Sequence, residues 1–472
     1  MAASEILFQS AAELAPLLKT RKLSPVELTR AFLDRIEAVN PKVNAFITVT
    51  GEQAMEHAKK AEREITAGRY RGPLHGVPYA PKDLLATKGI RTTNGAKVTS
   101  DWIPDYESTV TARLNRAGAI LIGKLNLLEF AMGSGQKGLI APARNPWDLA
   151  YSPSGSSSGS GAAVAAGMVP LAIGSDSGGS IRNPAKSCGI VGLKPTYGRV
   201  SRYGVTTLSW TLDHVGPMAR TVVDVLHMLQ VIAGPDPQDR TAASVPVPNY
   251  DKALTGNVKG LRIGVPAEHY FDRVLPETEA ALRRAISLLK ELGAVVVDFK
   301  VANAALCGVA SSIILNSEAA AFHEKRLREN ADLLEPLVRE RLEAATFHTA
   351  VDYIKALRLR TVLMEEIRRV LRTCDVIMLP AGNAAPKLEE EIVGTDAPSD
   401  PPVPPRPDSY NIANMTGIPA IVLPCGFTAG PPSLPLGIQF CARPFDEATL
   451  FRVGHAYQSA TDWHKRRAPL EG

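Results

Sequence analysis

Length, composition and charge are those of an ordinary globular protein. The 472 residues are 45% hydrophobic and 21% charged, with a net charge of +5. These values predict a sizeable buried core and no basic tract for nucleic acid. No uninterrupted apolar run approaches the roughly 20 residues of a membrane span.

The cysteines and the N-terminus bear on the compartment. The five cysteines are odd in number and far apart, so we expect neither a disulfide framework nor a zinc site. The first residues lack the basic start and apolar run of a secretory signal. We therefore expect a soluble, cytoplasmic protein.

The N-terminal part of the chain is predicted to be helical. Ser10 can cap one helix, and Ser24 followed by Pro25 predicts the start of another. A charged helix is predicted from about residue 52 to residue 67. These helices are expected to pack on the remainder of the chain.

Strands and helices alternate through the rest of the sequence. Strands are predicted at residues 117–124, 171–174, 190–193, 261–265, 294–299, 375–379, 418–424 and 436–440. Helices are predicted at 161–167, 277–292 and 310–375, and from about 447 onward. This alternation predicts a layered α/β architecture.

The chain is expected to divide into two unequal parts. Residues 1–67 form a helical segment, and residues 68–472 form one large domain. Within that domain, residues 305–410 are a variable helical and proline-rich region, expected to supply the substrate pocket. Residues 385–409 are acidic and proline-rich, which is typical of a long loop or a lid over a site.

Two loops of small residues are candidates for chemistry. Residues 152–161 read SPSGSSSGSG, and residues 174–182 read GSDSGGSIR. Glycine lets the backbone approach a ligand closely, and successive N–H groups can form an oxyanion hole. The first loop could also be a flexible linker or a phosphate cradle.

A serine nucleophile in these loops needs a base. Residues 155–159 read GSSSG, the nucleophile-elbow pattern with Ser157 at its centre, and this pattern would require a downstream histidine such as His455 or His464. A neutral lysine is the other option, because burial can lower the lysine pKa by several units. Lys82 lies in an apolar segment bounded by prolines, but taken alone it is more typical of a surface lysine.

Several motifs together resemble the amidase signature family. Lys82, the serine-rich loop and residues 176–182 (DSGGSIR) carry the resemblance. Further agreement comes from residues 144–147 (RNPW), 188–195 (CGIVGLKP), 212–217 (LDHVGP) and 414–420 (NMTGIPA). The resemblance covers nearly the whole chain. It implies an α/β amidase-signature fold, with a large mixed β-sheet core covered by helices on both faces.

The resemblance also implies roles for individual residues. Ser180 resembles the acylating nucleophile, Ser156 the bridging serine on a cis peptide, and Lys82 the base. The oxyanion hole would consist of the backbone N–H groups of Ser177, Gly178, Gly179 and Ser180. Asp176 and Arg182 would brace the loop by charge pairing, and the acyl pocket would include Ala131, Met132 and Gly133. The resemblance implies no metal and no cofactor.

Some positions depart from the usual family pattern. Serines replace common glycines or threonines at positions 154, 158, 175 and 177, and Pro81, Asn183 and Lys186 are also unusual. None of these changes removes a catalytic group. Because they border the expected pocket, the substrate of a known relative does not transfer to this chain.

The expected function is that of a stand-alone amidase. It would hydrolyse small carboxamides, anilides or related carbamates (urethanes) and esters, as an amidase with possible urethanase or aryl acylamidase activity. Its partners would be a small amide or carbamate and water, with no nucleic acid and no membrane, and it would be a monomer or homodimer. The alternative is the glutamine-hydrolysing catalytic subunit of a tRNA-dependent amidotransferase. Residues 208–214 (LSWTLDH) favour the stand-alone enzyme.

Overall fold

The structure is a computed structural model that describes residues 3–135, 138–268, 270–272, 274–393 and 407–470. Its helices are α1 (Ala3–Ile6), α2 (Ala11–Lys19), α3 (Pro25–Val43), α4 (Gly51–Thr66), α5 (Thr109–Arg116), α6 (Ser158–Ala165), α7 (Arg182–Cys188), α8 (Val222–Ile232), α9 (Pro276–Glu291), α10 (Cys307–Asn330), α11 (Pro336–Ala345), α12 (Ala350–Thr373), α13 (Leu388–Val393), α14 (Asn411–Thr416) and α15 (Glu447–Ser459). Its strands are β1 (Phe46–Val49), β2 (Pro78–Pro81), β3 (Ile120–Leu121), β4 (Gly123–Leu125), β5 (Leu171–Asp176), β6 (Val191–Lys194), β7 (His214–Ala219), β8 (Arg262–Pro266), β9 (Val295–Phe299), β10 (Val376–Pro380), β11 (Ala420–Phe427) and β12 (Pro435–Ala442).

The predicted N-terminal helices start at the expected caps. Ser10 and Ser24 each form a capping box, with Glu13 and Glu27 at the third helical position. Each box satisfies two backbone donors that a helix start leaves open. Helices α2, α3 and α4 bury apolar faces in the same hydrophobic cluster as the strands.

A large mixed sheet organises the described part of the chain. Its ten strands follow the order β3-β2-β5-β7-β6-β11-β12-β10-β8-β9. The pairs near the two ends of the sheet, β2 with β3 and β5, and β8 with β9 and β10, are parallel. The central pairs, from β5 through β12 to β10, are antiparallel.

Both faces of this sheet are buried. In β10, Val376 and Met378 join one hydrophobic cluster, whereas Ile377 and Leu379 join another. Because successive side chains of a strand point to opposite faces, the two clusters lie on opposite sides of the sheet. Helices α8, α9 and α15 complete the first cluster, and α10, α12 and α14 complete the second. The predicted fold class is therefore confirmed.

The strand predicted at residues 117–124 is instead two short strands in different sheets. Strand β3 joins the large sheet beside β2, whereas β4 pairs with β1 in a separate two-stranded sheet. The chain changes sheets at Ile122, whose N–H donates to Tyr79 of β2 and whose carbonyl accepts from Thr50. An apolar run shows burial but does not reveal such a change of partner.

The region 305–375 is largely helical. Residues Ala304–Leu333, which contain α10, are long and apolar enough by length and composition to cross a membrane. Helices buried inside proteins meet the same criterion, and α10 buries Ala310 and Ile314 in the second cluster. Of the predicted loop or lid at 385–409, α13 is helical and residues 394–406 lie outside the described residues.

Candidate active site

Lys82 lies directly after β2, where the strand carries it into the protein interior. Its backbone N–H donates to Ile173 of β5 at 2.9 Å, and the side chain is fully buried. Its Nζ donates to the hydroxyls of Ser156, at 2.7 Å, and Ser175, at 2.9 Å. Within the described ranges, no carboxylate lies at ion-pair distance from this lysine.

This environment favours the neutral amine. Burial lowers the pKa of Lys82 to about 7, although Asp176 and Asp213 oppose the shift. The unperturbed value is about 10.4. Near neutral pH a substantial fraction of Lys82 can therefore accept a proton, which a general base requires.

Ser156 follows a cis Gly155–Ser156 peptide bond. Only 3% of its surface is exposed, and its carbonyl accepts the N–H of Leu128 at 3.2 Å. The side chain is thus held against Lys82 at the base of the serine-rich loop. The structure brings these two sequence-predicted residues into direct contact.

Ser180 lies in the loop between β5 and α7. Its carbonyl accepts the N–H of Ser157 at 3.3 Å, which places Ser180 beside the residue that follows Ser156. Ser180 and Gly178 are partly exposed, whereas Ser177 and Gly179 are buried. The hydroxyl of Ser180 has no hydrogen bond within the described part of the chain. Among the described serines of the two loops, Ser180 is therefore the one that combines partial exposure with a hydroxyl free of hydrogen bonds.

Asp176 and Arg182, the residues expected to brace the loop, form an ion pair beneath it. Both side chains are fully buried, and Arg182 donates to both oxygens of Asp176 at 2.9 and 3.0 Å. Burial alone would raise the pKa of Asp176, but the Arg182 guanidinium overcomes it and holds that pKa well below its usual value. Asn414 adds a further donor to Asp176 at 2.9 Å. A buried ion pair with this many partners fixes the loop geometry.

The N–H groups of the loop divide into two sets. Gly179 donates to Asp176 Oδ1 at 2.8 Å, so its N–H is already engaged. Those of Ser177, Gly178 and Ser180 have no partner in the described ranges and are available to an oxyanion. Gly179 has a φ of 120°, and a β-carbon there would lie 2.9 Å from the Tyr410 ring. This position requires glycine.

A cavity of about 340 Å³ reaches this loop at Ser175 and Ser177, and we call it the central cavity. It is lined by residues that include Leu84, Ala131, Ser175, Ser177 and Asp213. Of the three predicted pocket residues, Ala131 faces this cavity. Met132 is buried in a separate small hydrophobic cluster, and Gly133 packs against the Glu335 carboxylate.

Ser157, the alternative nucleophile, is engaged elsewhere. Its hydroxyl donates to the carbonyl of Ser175 at 3.1 Å and accepts the N–H of Ser175 at 3.2 Å. His455 and His464 line a different cavity, beside α2 and α15. The nucleophile-elbow arrangement is therefore absent from the described residues.

Comparison with known proteins places the chain in a family. A sequence model of the amidase family matches residues 27–451. The chain belongs to the amidase family. It is 41% identical to a glutamyl-tRNA(Gln) amidotransferase subunit of Moorella thermoacetica, over 99% of each chain.

The fold of the chain is similar to those of two solved structures. One is a glutamyl-tRNA(Gln) amidotransferase subunit of Thermotoga maritima (31% identity, TM-score 0.77, 98% of this chain and 95% of that one). The other is the peptide amidase of Stenotrophomonas maltophilia (29% identity, TM-score 0.85, 98% of both).

This amidase is a hydrolase that acts on carbon–nitrogen bonds. The expectation of a stand-alone enzyme for small amides and carbamates is wrong, because curated relatives that match nearly the full chain are amidotransferase subunits. The expectations of no nucleic-acid partner and of a monomer or homodimer are overturned by the same likeness. Residues 208–214, which favoured the stand-alone enzyme, have a local structural role: Leu208, Ser209 and Asp213 support the Ser177 loop.

Two side chains of this amidase site were missed by sequence reasoning. Ser175 is the second hydroxyl on Lys82, although it was noted only as a departure from the family pattern. Asp213 accepts the Ser177 hydroxyl at 2.5 Å and the N–H groups of Leu208 and Ser209. The position of Ser175 near the end of β5, two residues before Ser177, could have identified it as a neighbour of the loop. Asp213 lies in motif 212–217, which carries part of the family resemblance, but the sequence does not reveal its contact with Ser177.

Proposed function

We propose that this amidase hydrolyses the side-chain amide of glutamine, as the catalytic component of a tRNA-dependent amidotransferase. The observation that carries the proposal is the 41% identity, over 99% of both chains, to a glutamyl-tRNA(Gln) amidotransferase subunit. The Lys82–Ser156 contact supports it, because an amide requires an activated nucleophile. The released ammonia would be used by partner proteins that act on glutamyl-tRNA(Gln).

Acylation begins with attack by Ser180. Its oxygen forms a bond to the amide carbon, while its proton passes to Ser156 and the Ser156 proton passes to Lys82. The carbonyl oxygen becomes an oxyanion, for which the N–H groups of Ser177, Gly178 and Ser180 are the available donors. One such donor contributes about 3–4 kcal/mol in well-studied enzymes.

Collapse of the tetrahedral intermediate completes acylation and uses the same relay in reverse. The C–N bond breaks as the proton on Lys82 returns through Ser156 to the leaving nitrogen, which departs as ammonia. Water then attacks the glutamyl ester of Ser180, giving glutamate and the free hydroxyl. Ser175, as the second partner of Lys82, would hold the amine in place through both steps.

The test measures glutamate and ammonia released from glutamine. We expect activity from the full chain that rises when the partner proteins and glutamyl-tRNA(Gln) are added. Ser180→Ala serves as the inactive control. Asparagine, ethyl carbamate and 4-nitroacetanilide serve as comparison substrates. Efficient turnover of a comparison substrate, with no glutamine hydrolysis even in the reconstituted complex, would exclude the proposal.

A further inference from the structure

Two buried carboxyl groups lie beside the loop that contributes Ala131 to the central cavity. Glu129 and Glu335 are only 1% and 2% exposed. The backbone N–H of Glu335 donates to Glu129 Oε1 at 2.9 Å. Gly133 packs against both residues, since a β-carbon there would overlap the Glu335 carboxylate and lie 3.2 Å from Glu129.

The Glu335 carboxylate holds the end of this loop. Its Oε1 accepts the N–H of Ser134 at 2.7 Å and that of Gly135 at 3.0 Å, together with the Ser134 hydroxyl. Glu335 directly precedes α11, and Arg341 of that helix donates to the carbonyl of Met132 at 2.7 Å. Helix α11, which belongs to the variable region, thus fixes loop 131–135 at two points.

The charges of this cluster do not balance if both acids are ionised. The second oxygens, Glu129 Oε2 and Glu335 Oε2, are buried without a hydrogen-bond partner in the described part of the chain. No basic side chain described here forms an ion pair with either acid. Burying two adjacent carboxylates without such a partner is unfavourable, so one of them is expected to carry a proton.

The hydrogen bonds indicate which acid carries it. Glu335 accepts three hydrogen bonds and Glu129 accepts one, so a shared proton is better placed on Glu129. Burial raises the pKa of Glu129 to about 7; the Glu335 charge also raises it, while the N–H of Glu335 and Lys97 oppose the shift. Among the described residues, the other charged or titratable neighbours are Arg341 of α11, and His323 and Arg326 of α10. The last two pack on the Phe130 ring.

We propose that protonated Glu129 and ionised Glu335 form an acid–carboxylate pair that positions loop 131–135 against the central cavity. Glu335 acts on the substrate only through the loop and is therefore a positioning residue. This positioning role rests on the proposed function, because it assumes that the substrate binds in the central cavity. We call the Glu129–Glu335 pair and its contacts with loop 131–135 the clamp. The clamp does not depend on which amide is hydrolysed.

The proposal predicts a definite pH dependence of loop opening. When the loop is open, the pKa of Glu129 would be about 4.3. When the loop is closed, its pKa is about 7. Opening then releases a proton between these values, so the loop opens more easily as the pH rises through this range and levels off above about 7.

Hydrogen exchange of the peptide spanning 131–135, corrected for intrinsic rates, tests the clamp directly. In the wild type, the protection of this peptide should fall by about 20-fold between pH 5.5 and pH 7.5. Glu129→Gln, which cannot ionise, should abolish this fall. Glu335→Gln should lower protection at every pH. Glu343→Gln, an exposed change on the same helix, is the matched control and should behave as the wild type.

A pH-independent wild type, or a Glu129→Gln variant that keeps the dependence, would overturn the proposal. If Glu335→Gln does not fold, Ser134→Ala provides a milder loss of the same contact and should also lower protection. In glutamine assays, Glu335→Gln should raise KM severalfold with little change in kcat. Absence of any glutaminase would reject the proposed function, while the exchange results would still decide whether the clamp exists.

Discussion

The serine-rich loops and the helical region 305–375 differ in how strongly burial and hydrogen bonding constrain their residues. In the loops, the side chains of Ser157, Asp176 and Arg182 are completely buried and hydrogen-bonded. On α12 and just before it, Phe347, Val351 and Ile354 are 84%, 58% and 54% exposed. The chemistry of the loops constrains residue types closely, whereas the surface of the helices constrains them little. The catalytic residues of this chain can therefore be predicted from its sequence, whereas the substrate cannot be predicted from the helical region.

Removal of the nucleophile is the largest expected effect on the loop side of this comparison. Ser180→Ala should lower kcat on the order of 10⁴-fold, because the other loop hydroxyls at the central cavity, Ser175 and Ser177, are engaged with Lys82 and Asp213. The measurement is single-turnover ammonia release, with circular dichroism to verify folding. If the variant retained more than about a tenth of the wild-type rate, Ser180 would not be the nucleophile.

Removal of the base is the next effect in size. Lys82→Met should lower kcat by about 10³-fold, within the range typical of general-base catalysis. In the wild type, kcat/KM should rise with pH and level off above about 7, because only the neutral Lys82 accepts a proton. A profile that is flat from about pH 5 to about pH 9 would contradict the assignment.

The buried ion pair should dominate the stability of the loop. Arg182→Met leaves the Asp176 charge without compensation and should cost about 3–5 kcal/mol in free energy of unfolding. The pair stabilises the fold above pH about 4, since the pKa of Asp176 is depressed in the folded state, and this contribution fades as the pH falls toward the folded value. Urea unfolding measures both effects.

The control for this ion pair is Arg283→Met, which breaks an exposed pair with Glu279 on α9. Exposed pairs contribute little, so this change should alter the free energy of unfolding by less than about 1 kcal/mol. Equal losses in the two variants would show that burial does not decide the strength of these pairs.

The sequence predicted the parts of the fold and site that depend on short-range signals. Capping residues located α2 and α3, and alternating apolar runs located most strands. The contact of Lys82 with Ser156 followed from family motifs, since 74 residues separate them. Asp213 and the Glu129–Glu335 pair escaped because their roles depend on burial and on contacts between residues far apart in the chain, 36 residues for Asp213 and Ser177 and 206 for the two glutamates.

The choice between biological roles failed for a related reason. The segment 208–214 favours an independent enzyme by its sequence, yet its Asp213 carboxylate accepts a hydrogen bond from the Ser177 hydroxyl. A residue that supports the chemistry is required whether the enzyme acts alone or in a complex. Such a motif therefore carries little information on partners.

The smallest expected effect tests the helical side of the comparison. Phe347→Ser removes a side chain that is 84% exposed, so it should change the free energy of unfolding by no more than about 0.5 kcal/mol. Leu363→Ala on α12 is the matched contrast, because Leu363 is fully buried, and it should cost about 2–5 kcal/mol. A loss above about 1 kcal/mol for Phe347→Ser would mean that this surface is as closely specified as the loops. In that case the difference between the two regions would lie in their chemistry alone, and not in how tightly packing constrains them.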